Sequence, residues 1–241
     1  MSQISYNRKY KYKKSRFKTF KTFKISCLAT IFILTCIALS ISVFLPNIKA
    51  HQKYQFPNQI SLSEWQFKSS NTLDLNLKNG VIAAKQYLYI SSNQETLRID
   101  TLYIEGIVSI PQSLGLLGLK NLNSSLNIRY LESVGYYAVF TDQERVYLSS
   151  CINPRGSSTV TEEQFMNNRN IYDITPQRIG LYLIGFADLR DNRCLFTTLS
   201  IPLENQQLVN QPINSLDKTY RKLEEVWTNW YQKWQDDFPD G

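Results

Sequence analysis

The sequence predicts an α+β fold, one mostly antiparallel sheet with packed helices, preceded by a single transmembrane helix. Three observations lead there: an uncharged run over residues 25–45, a succession of short β-rich segments from residue 65 onward, and an amphipathic helical pattern near the C-terminal end. Once a tail and a span are set aside, the 241 residues leave enough chain for one ordinary core. Four regions are expected: a basic tail over 1–24, the span over 25–45, a linker over 46–64 and a domain over 65–241.

Charge is distributed unevenly. Nine basic residues (Arg8, Lys9, Lys11, Lys13, Lys14, Arg16, Lys18, Lys21, Lys24) precede residue 25, and the first acidic residue is Glu64. Of 27 basic residues, 18 remain after Lys24 against 20 acidic ones, so the rest of the chain carries −2 while the whole carries +7. The basic balance therefore belongs to the tail. Its aromatics (Tyr6, Tyr10, Tyr12, Phe17, Phe20, Phe23) interleave with the cations, which suits anionic headgroups and interfacial rings beside a membrane better than RNA. No nucleic-acid partner is expected.

Residues 25–45 contain no charge, and their polar members (Ser26, Thr30, Thr35, Ser40, Ser42) can bond back to helix carbonyls. At helical rise the run measures roughly 31 Å, the thickness of a bilayer core. A cleaved secretory signal is the competing reading, but the run is long for one and Asn47-Ile48-Lys49-Ala50 is a poor cleavage site. Positive charge before the span puts the N-terminus in the cytoplasm and the domain outside. The expected location is the plasma (inner) membrane, in single-pass topology.

Two cysteines, Cys27 and Cys36, fall in the apolar run. Cys151 and Cys194 are the two in the domain, so one pairing is available to them in an oxidising compartment. Two free thiols, or one reactive cysteine, are the alternatives.

Pro46 ends the span and Pro57 keeps the linker extended. In the domain, alternation over Leu73–Leu77 followed by Asn79-Gly80 predicts a hairpin, and Gln86–Ser91 and Leu97–Val108 predict strands, with Leu97, Ile99 and Thr101 on one face. Pro111–Ser125 reads as a loop or short irregular helix. Residues 134–149 predict a hairpin around Thr141–Glu144, ahead of an irregular loop Cys151–Ser158. Thr161 and Gln164 form a capping-box signature for a helix to about Asn168, and a second helix is expected from Pro176 to Leu189. Arg193–Pro202 predicts the last strand. Leu216, Tyr220, Leu223, Trp227, Trp230 and Trp234 then repeat at helical spacing behind Ser215 as N-cap, and form either core or a partner-binding stripe.

Chemistry is sparse. His51 is the single histidine of the chain, so Ser/His and Cys/His mechanisms lack a well-placed base, and a standard zinc set cannot be assembled. No phosphate-binding or dinucleotide glycine pattern occurs, and no cofactor is expected. One constellation stands out, Asn153-Pro154-Arg155-Gly156 after Cys151, with Arg193 before Cys194. A bridge between the cysteines would draw Arg155 and Arg193 together as a grip for a carboxylate. The plainer reading is a tight turn whose arginines are solvated or paired.

The block Cys151–Asp173 (CINPRGSSTVTEEQFMNNRNIYD), together with Leu189–Leu195 and the aromatic end (Trp227, Trp230, Tyr231, Trp234, Phe238, Pro239), resembles the cyanoexosortase A system-associated proteins. The resemblance runs from about Gly135 to the C-terminus. It implies an anchored accessory protein that works beside a cyanobacterial-type exosortase, a polytopic enzyme that processes exported proteins with C-terminal sorting signals. The expected partners are the exosortase, its sorted substrates, and membrane lipid through the span and tail. A different class of function, a thiol-dependent enzyme with Cys151 as nucleophile supported by Arg155 or Arg193, is the alternative.

Overall fold

The computed structural model of the protein describes residues 24–37, 40, 54–75, 80–106, 109–119, 126–142, 144–203 and 213–239. By its internal contacts the chain divides into one unit of residues 51–182 with 187–241 and another of residues 1–50 with 183–186. In the latter, residues 24–37 are helical. Thr30 Oγ1 donates to Ser26 O and Thr35 Oγ1 to Phe32 O, both at 2.8 Å, the back-bonding that lets hydroxyl side chains sit in an apolar helix. Among the described residues no helix is long and apolar enough to cross a membrane. The tail before residue 24, residues 38–39 and 41–53 of the expected span and linker, and His51 lie outside the described residues.

The larger unit is the α+β domain. Its strands are β1 (Trp65–Thr72), β2 (Val81–Ser91), β3 (Thr96–Glu105), β4 (Asn127–Leu131), β5 (Gly135–Asp142), β6 (Arg145–Ile152) and β7 (Arg193–Pro202), and its helices α1 (Ile110–Leu116), α2 (Glu162–Tyr172), α3 (Pro176–Leu183) and α4 (Ile213–Asp236). The strands form one seven-stranded sheet in the order β1-β2-β3-β7-β6-β5-β4, every neighbouring pair antiparallel. The last strand in sequence is thus the middle strand in space. Because it is covered on both faces, β7 has lost the alternation of a one-sided strand: Cys194 through Ile201 are all buried.

Strand period sorts the core into two layers. Leu195, Leu199 and Ile201 join Tyr87, Tyr89, Leu97 and Ile99 under the aromatic stripe of α4, while Cys194 and Phe196 join Leu102, Ile104 and Phe140 under Ile110 and Leu114 of α1 and Phe165 of α2. Tyr220, Leu223, Trp227, Trp230 and Trp234 are all buried, so the stripe is core. α4 begins at Ile213, which places the expected N-cap Ser215 inside the first turn.

Three expectations are revised. The first hairpin pairs β1 with β2, so its opening strand begins earlier, at residues 65–72, with Leu73 N still donating to Ala84 O at 3.1 Å; residues 76–79 of the expected alternation and turn lie outside the described residues. Helix α3 stops at Leu183 and not near Leu189, because Gly185 adopts φ +78° and ends the helix. Part of the expected linker belongs to the domain: Phe56 and Ile60 are buried, and the hydroxyls of Tyr87 and Tyr89 donate to the carbonyls of Pro57 and Ile60 at 2.8 and 2.9 Å. The capping box stands as expected, with Thr161 Oγ1 accepting from Gln164 N and Gln164 Oε1 accepting from Thr161 N, both at 3.2 Å.

Candidate functional site

β6 carries Cys151 and β7 carries Cys194, on neighbouring strands with their Cα atoms 5.7 Å apart, and the two are joined in a disulfide. Both sulfurs are thereby committed, and Cys151 is buried. The thiolate that the thiol-enzyme alternative requires has no carrier in this state of the protein. After Cys151 the chain turns sharply. Asn153, 1% exposed, donates from Nδ2 to Ser157 O at 2.6 Å and to Thr159 Oγ1 at 3.3 Å, so its role in the structure is to fix the turn. Gly156 has φ +75°, and any Cβ there would collide with Asn168 Oδ1 and the Tyr172 ring, which is why the turn takes glycine at this point. The hydroxyl of Tyr231 on α4 donates to the Gly156 carbonyl at 3.0 Å and ties the loop to the C-terminal helix.

Arg155 and Arg193 do meet, and the carboxylate that they grip belongs to the chain itself. Arg193 binds Asp191 in bidentate fashion, Nε to Oδ1 and Nη2 to Oδ2, each at 2.7 Å. Arg155 donates from Nη2 to Asp191 Oδ2 at 3.2 Å and from Nε to Asp173 Oδ1 at 2.8 Å. The Asp191 backbone N–H closes the ring onto Asp173 Oδ2 at 2.7 Å, and Arg178 stands 3.9 Å from Asp191. Arg193 also donates from Nη1 to the carbonyl of Pro239 at 2.8 Å and to the hydroxyl of Tyr103 at 3.3 Å, while its guanidinium lies over the Phe238 ring. Loop 153–156, the end of α2, the approach to β7 and the C-terminal residues are therefore fastened at one point.

The electrostatics follow from that geometry. Burial alone would raise the Asp191 carboxyl, but the hydrogen bonds and charge of Arg193, with Arg155 behind them, hold it below the usual carboxylate range. Bonding to Asp191 pushes the Arg193 guanidinium up, against its own burial. Because the folded value of Asp191 lies below the unfolded one, its stabilising contribution is complete above the ordinary carboxylate range and disappears as pH falls through the depressed folded value. Asp191→Ala is expected to cost about 3 kcal/mol, the low end for breaking a buried pair because Arg155 keeps access to water. Urea denaturation at neutral pH reads the loss, and the gap from wild type should narrow in acid.

Two further groups were not singled out from sequence. On the second face of the sheet Asp100, buried, accepts from Arg98 Nε at 2.7 Å and from Gln86 Nε2 at 2.8 Å, beside Arg145 bonded to Ser200 and Ser149 bonded to Thr198. Burial drives the Asp100 carboxyl upward despite Arg98. The polar alternation of Arg98 and Asp100 along β3 was the available signal. The other group is apolar: Ile171, Tyr172, Ile174, Ile179 and Tyr182 are all exposed, and α3 buries none of its side chains. Leu183, Ile184 and Phe186, exposed as well, fall in the other unit. Ile179 and Tyr182 are three apart on α3 and so share a helical face.

Among the described residues no group of His, Cys, Asp and Glu is arranged to hold a metal ion. No family model matches this chain, and no curated protein or solved structure matches it.

Proposed function

We propose that the protein is a membrane-anchored accessory component of an exosortase-type protein-sorting system, in which residues 25–45 cross the plasma (inner) membrane and the α+β domain binds the exosortase on the outer side. The observation that carries this reading is the run of exposed apolar side chains from Ile171 to Tyr182 on the α+β domain. Soluble monomers rarely leave so many large apolar side chains in water within one short segment. A polytopic membrane enzyme presents an apolar surface to cover them.

The disulfide agrees with an oxidising compartment. The uncharged run and the basic tail agree with an anchor whose N-terminus is cytoplasmic. Anchoring confines the domain to a thin layer beside its partner, so a modest intrinsic affinity suffices through raised effective concentration. The block Cys151–Asp173 supplies the resemblance that names the partner.

Co-expression with the cognate exosortase and affinity capture in mild detergent tests the proposal. The wild-type chain should retain the exosortase. Ile179→Glu, at an exposed position, should reduce capture at least about tenfold with an unchanged melting temperature. An exosortase that is not recovered, even after crosslinking, would remove the proposal, as would capture indifferent to I179E.

A further inference from the structure

Where β1 ends, the sheet edge borders a cavity of about 490 Å³, within the usual range for small-molecule sites. Phe56, Leu73, Leu75, Ile82 and Ala84 supply apolar lining, and Lys85 is among its polar members. Lys85 is 6% exposed. Its ammonium donates to Asn58 Oδ1 at 2.8 Å and to Phe56 O at 3.3 Å, with the Tyr87 ring centroid 5.8 Å away. Both acceptors are neutral. Among the described residues no carboxylate forms an ion pair with Lys85, and an ammonium has three N–H donors, so one remains for a ligand.

Burial already pulls the Lys85 ammonium below its ordinary pKa. Holding segment 54–60 to the sheet does not require the charge. Tyr87 and Tyr89 tie the same segment through neutral hydroxyls. A lysine of this kind has the properties of a binding group whose counter-ion arrives with the ligand.

We propose that the cavity binds a monocarboxylate borne on a short apolar body, with Lys85 as its charge partner. Asp74, exposed among the lining residues, opposes negative charge in the cavity and so disfavours dicarboxylates and phosphates more than a monocarboxylate. Two sources carry the right chemistry, a short acyl acid and the free C-terminus of an apolar peptide. The inference does not depend on the exosortase reading.

The test uses the full chain in nanodiscs, titrated with hexanoate, with acetyl-Leu-Leu bearing a free C-terminus, and with the amide of each. One or both acids should bind saturably and the amides should not; hexanoate alone identifies the acyl source and the peptide alone the C-terminal one. Lys85→Met should weaken acid binding at least about tenfold while the melting temperature holds or rises, since replacing an unpaired buried charge by an apolar chain of similar length relieves its burial. Asp74→Asn leaves Lys85 in place and should tighten binding, a readout independent of whether K85M folds. The inference is overturned if neither acid binds, if acid and amide bind alike, or if K85M or D74N binds as wild type does.

Discussion

Trp230→Ala is expected to lower stability by about 4 kcal/mol, in the usual range for truncating a buried tryptophan. Trp230 is fully buried, meets Tyr87 and Trp234 edge to face at centroid distances of 5.5 and 5.9 Å, and donates from its indole nitrogen to Thr197 Oγ1 at 3.3 Å. Its loss opens a cavity between α4 and the central strand and leaves the Thr197 hydroxyl with only the 3.4 Å contact to Thr101. Against a total of roughly 5–15 kcal/mol for an ordinary domain, that is a large share. Guanidinium denaturation followed by near-ultraviolet circular dichroism reads it. A cost below about 1 kcal/mol would mean that α4 is not packed on the sheet in solution.

Replacing Cys151 and Cys194 together by Ser should cost a similar amount, about 4 kcal/mol, because the bridge closes a loop of sequence separation 43 and restricts the unfolded chain accordingly. The bridge also stands between strands β6 and β7 at the end where Arg155 and Arg193 converge. Loosening it should therefore expose the Asp191 cluster as well as the core. Wild-type protein treated with reductant should unfold at the same denaturant concentration as the double variant. A midpoint insensitive to reductant would show that the cysteines are not joined in solution, and the thiolate chemistry set aside above would return.

Much of this architecture was legible from residues because the strongest patterns sit where packing is strongest. β7 is bounded by Arg193 and Pro202 and holds only apolar residues, Thr and Ser between them, and the structure keeps those limits. The stripe of α4 and the capping box of α2 likewise pair a clear pattern with a clear physical demand. The misses lie at the periphery. β1 and β4 are edge strands with mixed burial, so Trp65–Thr72 and Asn127–Leu131 lack a continuous apolar face. Gly185 was the visible stop for α3. Phe56 and Ile60 were hidden within a segment that has no periodicity of its own and takes its order from Tyr87 and Tyr89.

The candidate site shows the same division. The convergence of Arg155 and Arg193 followed from the cysteine pair, since linking two strands brings their neighbours together. That Asp173 neutralises Arg155 did not follow, because 18 residues separate them; Asp191, only two residues before Arg193, was the near signal for the rest of the cluster. Strand period puts Lys85 on the same face as Tyr87 and Tyr89, an odd position for an ammonium and a legible mark in the sequence.

The place of β7 at the centre of the sheet bears on when the domain can form. Arg98 on β3 pairs with Ser200, and Tyr147 on β6 pairs with Ser200 from the other side. Until the ribosome has completed that strand, the hairpins on either side share no ladder, and each keeps an open row of amides and carbonyls. The full sheet therefore waits for its last strand, a delay expected of any topology ruled by distant pairings.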